Sequence, residues 1–85
     1  MNPKVIVYRD GMPSPPLEKL QEMVGGFIEM IPMGDRQLIV NEAGKPFGLK
    51  VNPEATRWAQ REGAISFDDW IAGNAVILEG EARIR

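Results

Sequence analysis

Gly25-Gly26-Phe27-Ile28-Glu29-Met30-Ile31-Pro32-Met33, then Gly34-Asp35-Arg36, then Gln37-Leu38-Ile39-Val40-Asn41-Glu42-Ala43-Gly44-Lys45 is the stretch on which the fold turns. It reads as two apolar strands joined by a tight Gly-Asp-Arg turn and closed by a second, polar turn. One face of the first strand carries Phe27, Glu29, Ile31 and Met33. The other carries Ile28, Met30 and Pro32. Pro32 has no N–H and marks an edge or a strand end. Glu29 is a carboxylate among apolar neighbours, so it either sits at the sheet margin in water or points into a pocket. The second strand, Gln37 to Asn41, is centred on Leu38, Ile39 and Val40.

The flanking segments are read against this hairpin. Lys4 to Tyr8 is β-branched and aromatic, a strand buried on both faces. Arg9-Asp10-Gly11-Met12-Pro13 breaks it. Ser14-Pro15-Pro16 predicts a helix start, with Ser14 as cap and a stripe of Leu17, Leu20 and Val24. Gly25-Gly26 ends that helix as a left-handed cap, or else gives a ligand close backbone approach. Phe47 to Val51 reads as a short strand or an extended segment, which would complete a meander. Asn52-Pro53 opens a second helix to about Glu62, with Ala55, Trp58 and Ala59 inward and Thr56, Arg57, Gln60 and Arg61 solvated. Ser66-Phe67-Asp68-Asp69 has the capping-box pattern and predicts one helical turn pinned by Phe67, Trp70 and Ile71. Ala75 to Leu78 is the last strand, and the tail beyond it either frays or adds a few strand residues.

The expected fold is therefore α+β in one domain, 1–85. A mostly antiparallel sheet of about four or five strands, with its central hairpin at 27–41, packs against helices at about 15–24 and 53–62.

Composition narrows the chemistry. Eighty-five residues bury roughly 60–65% of their unfolded surface, a thin core that small domains often staple. With no Cys and no His, disulfides, thiolate zinc sites and imidazole ligation are excluded. Self-association is the staple left, so a homo-oligomer stands beside the monomer as an expectation. Ser–His and Cys–His nucleophiles are excluded on the same ground. Ser14 and Ser66 read as caps. Carboxylate pairs remain at Asp68–Asp69 and Glu29–Glu42, but a domain this small rarely encloses the cleft a glycosidase pair needs. Gly44-Lys45 lacks the upstream glycine and hydroxyl of a phosphate loop. No enzyme, no metal and no cofactor are expected. Ten Lys+Arg against twelve Asp+Glu give −2 with no basic stripe, which points away from direct nucleic-acid binding. No apolar run reaches the ~20 residues of a membrane span. Met1 to Val5 lacks the apolar region of a signal peptide. A soluble protein of the bacterial cytoplasm is expected.

Three motifs resemble one family. Leu20-Gln21-Glu22-Met23-Val24-Gly25-Gly26-Phe27-Ile28-Glu29, then Asn41-Glu42-Ala43-Gly44-Lys45 with Gly48-Leu49 and Asn52, then Asp69-Trp70-Ile71-Ala72-Gly73-Asn74-Ala75-Val76-Ile77 stand in order. Together they resemble an uncharacterised family of small bacterial, phage and plasmid domains of unknown function. Lys50 departs from it, standing where that family tends to carry Pro after Gly-Leu, which puts the path of 47–51 in doubt. The resemblance implies a phage or mobile-element setting and no chemistry.

Two functional readings follow. One is a non-enzymatic accessory protein that binds a host protein, with counter-defence as one such role. The other is a homo-oligomeric sponge for a small anionic, nucleotide-type ligand. Its contacts would come from Asn41, Lys45, Asn52, Arg57, Arg61, Glu29 and the Gly25-Gly26 backbone, with Phe27 or Trp58 stacking on a base. A third reading leaves the Asn-Glu-Ala-Gly-Lys turn purely structural, within an interaction module. In a hairpin Gly25-Gly26 and Asn41–Lys45 lie at the same end, so that end is the first place to look for a site.

Overall fold

The computed structural model describes residues 2–85. In chain order it contains β1 (Val5–Tyr8), α1 (Leu17–Val24), β2 (Ile28–Met33), β3 (Arg36–Asn41), α2 (Pro53–Arg61) and β4 (Ala75–Leu78). The strands form one mixed sheet in the order β1-β4-β3-β2. β2 and β3 are the expected antiparallel hairpin, paired from Ile28↔Asn41 to Met33↔Arg36 across the Gly34-Asp35 turn. β4 runs antiparallel to β3 and parallel to β1. The fold is α+β, as read from the sequence.

Alternation sets the layers. Leu38 and Val40 of β3 and Ala75 and Ile77 of β4 point to one face, where they meet Ala55 and Ala59 of α2. Ile39, Val76 and Leu78 point to the other, where they meet Leu20 and Val24 of α1. Each helix thus covers one face, because the two central strands are apolar on both. Complete burial of each of the larger side chains, such as Leu38, Ile39, Ile77 and Leu78, contributes about 1.5–3 kcal/mol. The small Ala55, Ala59 and Ala75 let α2 lie close to the sheet.

Several local expectations are corrected. Phe47–Val51 is no strand. Residues 42–48 turn, and Val51 makes a single bridge to Ala72. The third strand of the expected meander is instead β4, inserted between β1 and β3. α1 starts at Leu17 behind Pro16, and Ser14 makes no cap; Leu17 is exposed. The Ser66 segment forms a turn rather than a helix, because the Ser66 hydroxyl donates to Asp68 (2.8 Å) and only Ile71 reaches the core. Thr56 and Gln60 are not idle solvent groups. Thr56 Oγ1 accepts from the Ile71 N–H (2.9 Å), and Gln60 Nε2 donates to the carbonyls of Phe67 (3.0 Å) and Asp69 (3.1 Å). The polar side of α2 holds segment 66–71 against the helix. The tail makes a 3-10 turn at Gly80–Ala82, and Gln37 then brackets Ile84 by accepting from its N–H (2.7 Å) and donating to its carbonyl (2.8 Å). No helix among the described residues is long and apolar enough to cross a membrane.

Asn52 is the fully buried polar side chain that fixes α2. Its Oδ1 accepts from the Ala55 N–H (3.0 Å), capping the helix ahead of Pro53. Its Nδ2 donates to the carbonyls of Gly73 (2.9 Å) and Lys4 (3.1 Å). Lys4 keeps a second partner, the Ala75 N–H (2.9 Å). Asn52→Ala should therefore remove one cap and orphan the Gly73 carbonyl, for a loss of about 2–4 kcal/mol by denaturant unfolding. Asn52→Asp keeps the cap but turns a carboxylate toward those carbonyls, and is expected to be destabilised too. Wild-type stability for Asn52→Asp would show that the donor side is not used.

Candidate functional site

The two ends of the hairpin do converge, through a different chemistry from ligand binding. Gly25 (φ 80°) is the left-handed cap of α1, and the N–H groups of Gly25 (2.8 Å) and Gly26 (3.0 Å) both donate to the Gln21 carbonyl. Asn41 is buried in the angle. Its Nδ2 donates to the Val24 carbonyl (3.1 Å) and its Oδ1 accepts from the Ala43 N–H (2.8 Å). A Cβ on Gly26 would stand 2.9 Å from Asn41 Nδ2, which is why that position is glycine. The glycine pair is thus a cap whose backbone donors are already used.

Beside this junction lies a cleft of about 170 Å³. Ile31, Val40, Ile65, Ile71 and Ala72 form its apolar lining. Its polar groups come from three segments: Glu29 on β2, Glu42 and Lys45 on the turn after β3, and Asp69 with Trp70 on the segment held by α2. Lys45 Nζ pairs with Asp69 and stands 4.5 Å from the centre of the Trp70 ring. This hydrogen bond first, and that from the Trp70 N–H (2.8 Å) second, hold the Asp69 carboxyl below its ordinary value of 3.8. Glu29 and Glu42 make no ion pair within 4 Å among the described residues. Three carboxylates against one ammonium leave the lining formally −2 at neutral pH.

Of the residues singled out in the sequence, Glu29, Asn41 and Lys45 line this cleft, as do both members of the Glu29–Glu42 carboxylate pair and Asp69 of the Asp68–Asp69 pair. Asn52 is the α2 cap. Trp58 is half-buried beside α2's own core contacts, with the Arg36 guanidinium 4.8 Å from its ring centre; Arg36 also pairs with Glu62 at 2.7 Å. Arg57 and Arg61 stay exposed on α2 outside the lining, and Phe27 is exposed before β2. In the sequence Asp69 stands out only as the neighbour of Asp68 and Trp70 only as a core anchor, with nothing to join either to Lys45. They lie 24 and 25 positions beyond Lys45, and no local spacing announces the pairing. A second, more open hollow of about 460 Å³ is lined in part by Lys4, Lys50, Glu22 and Gly25 at the C-terminal end of α1.

A family model for a domain of unknown function, DUF3846, matches residues 2–83. The chain belongs to this family. Neither curated proteins nor solved structures gave a match. Membership in DUF3846 brings no activity with it, so the function of this domain rests on its geometry.

Gly44 shows how tightly the cleft-side turn of this DUF3846 chain is built. Its φ is not positive; Gly48 is the left-handed residue of the turn (φ 69°). A Cβ on Gly44 would meet the Ala72 carbonyl oxygen at 3.0 Å. Gly44→Val should therefore destabilise through overpacking, by about 1–3 kcal/mol, and shift the Asp69–Trp70 resonances. A second test concerns pH. The lowered Asp69 contributes stability above its ordinary value, and this is lost as pH falls through the lower, folded value. In an NMR titration of the Asp69 carboxyl carbon, Lys45→Met should raise the midpoint toward 3.8. An unchanged midpoint would mean that the ion pair does not form in solution.

Proposed function

We propose that this protein is a non-enzymatic accessory protein that binds a host partner protein. The observation that carries this reading is the crowding of exposed apolar side chains on the two loops that frame the cleft. Phe47 is 74% exposed, Phe67 88% and Trp70 41%, with Leu49 and Val51 exposed beside them in sequence. The loops are tied together by the Val51–Ala72 bridge and by the Gly73 N–H, which donates to the Lys50 carbonyl (2.7 Å). Scattered surface apolar residues need no explanation, but a concentration of aromatics on paired loops is the composition of a protein-binding surface.

The cleft supports the same choice over an anion sponge. Small-molecule sites run roughly 300–1,000 Å³, and this cleft is about 170 Å³ and acidic. A nucleotide phosphate would face Glu29, Glu42 and Asp69. The larger hollow has two lysines, but it opens at the C-terminal end of α1, where the helix dipole repels anions. The phage or mobile-element setting is what the motif resemblance implies, and counter-defence is one role that a host-binding accessory protein would play there.

Affinity capture from a bacterial lysate, with the full chain as bait, tests the reading. Phe47→Ser with Phe67→Ser should leave stability within about 0.5 kcal/mol, while the captured protein is lost. Retention of every captured protein by the double variant would sink the proposal. So would a nucleotide panel in which one compound at ~100-fold excess over its Kd adds ~2.7 kcal/mol of stability.

A further inference from the structure

We infer that the partner is engaged as an added strand along β2, with one of its arginine or lysine side chains seated in the acidic cleft. This rests on the partner-binding reading above and gives it a chemistry. Two independent observations carry it: the hydrogen-bond bookkeeping of an edge strand, and the charge of the cleft beside it.

β2 is the outer strand of the sheet on the hairpin side. The Glu42 N–H donates to the Phe27 carbonyl (3.0 Å), so Phe27 faces β3. In an antiparallel pair, alternate residues direct both N–H and C=O to the same neighbour. Glu29, Ile31 and Met33 therefore bond to β3, which the two-residue turn between Met33 and Arg36 also requires. Ile28, Met30 and Pro32 direct their backbone outward. Among the described residues, no loop or side chain hydrogen-bonds to them. The outward row offers two N–H groups and three carbonyls, because Pro32 has none to give. Pro32 blunts the edge toward the Gly34 turn and confines strand addition to Ile28–Met30. That stretch borders the cleft.

Side-chain direction then links the two features. Glu29 and Ile31 point to the α2 face and line the cleft. A strand added outside β2 places its same-face residue about 4.5–5.5 Å from them. The cleft has an apolar lining from Ile31, Ile65 and Ile71, and two carboxylates, Glu29 and Glu42, without ion-pair partners among the described residues. An arginine or lysine matches both, with an aliphatic stem for the lining and a charged head for the carboxylates. The volume of about 170 Å³ is on the scale of one side chain, not of a free ligand. Backbone pairing along an edge, with a pocket for alternate side chains, is a recurring mode of peptide recognition.

The probe is a displayed library of random dodecapeptides, panned against the full chain. Enriched peptides should carry Arg or Lys among β-branched residues. A synthetic winner should bind the Glu29→Gln, Glu42→Gln double variant at least about tenfold more weakly, and binding to wild type should fall as salt rises. Amide exchange at Ile28 and Met30 should slow on binding, while Glu29 and Ile31, already bonded to β3, stay unchanged. Met30→Pro removes an outward N–H without touching the β3 ladder, and should abolish binding with the fold retained. No enrichment, enrichment of peptides lacking a cation, or binding without protection at Ile28 and Met30 would overturn the inference. If lysate capture persists in the Glu29→Gln, Glu42→Gln variant, the strand-and-cation mode fails and partner binding stands. If capture itself fails, the broader reading goes with it.

Discussion

β4 is the strand on which the structure depends. Ala75, Val76, Ile77 and Leu78 are buried on both faces, and β1 and β3 close both edges. A strand with no polar side chain and no free edge is stable only with all of its neighbours in place. It arrives last in the chain yet sits second in the sheet. The hairpin must leave β3's inner edge open for it, β1 must supply the parallel partner, and a helix must lie on each face. This is why a chain of this size has two helices on opposite sides of a four-stranded sheet.

The connections needed to thread β4 inward are held by asparagines. Asn52 ties the start of α2 to the Gly73 and Lys4 carbonyls. Asn74 accepts from the Lys4 N–H (2.9 Å) and donates to the Met23 carbonyl (3.1 Å). Asn41 joins the end of β3 to the end of α1. Among the described residues, no buried side-chain nitrogen or oxygen lacks a partner. Such complete pairing makes these amides structural, because a buried amide left unpaired costs about 1–3 kcal/mol. It also explains the cleft: segment 66–72 must return along α2 to deliver β4, and on its way it faces the turn after β3.

The polar character of that cleft follows from the same path. Lys45 is brought to Asp69 and Trp70 by the return segment, while Glu29 comes from the edge strand. What gathers there is carboxylate-rich, edged by aromatic loops and bordered by an open strand edge. Those three properties support the proposal that this surface reads another chain, and they sit poorly with a small anion.

Much of this was legible in the residues. The hairpin at Gly34-Asp35, the Gly25 cap, the Asn52-Pro53 helix start and the apolar Ala75–Leu78 strand are local patterns, set by backbone preferences and short-range hydrogen bonds that sequence displays directly. The position of β4 between β1 and β3 was not, because alternation says that a strand is buried and not which neighbours bury it. Ser66 and Phe47 misled for the same reason. A capping pattern and a β-prone run yield when a loop must close elsewhere, here through Thr56, Gln60 and the Val51–Ala72 bridge. The cleft was half legible: Glu29 and Lys45 stood out as polar residues at the hairpin's margin. Their partners Asp69 and Trp70 became visible only in the fold, since an ion pair between positions so far apart is a product of topology and leaves no period in the chain.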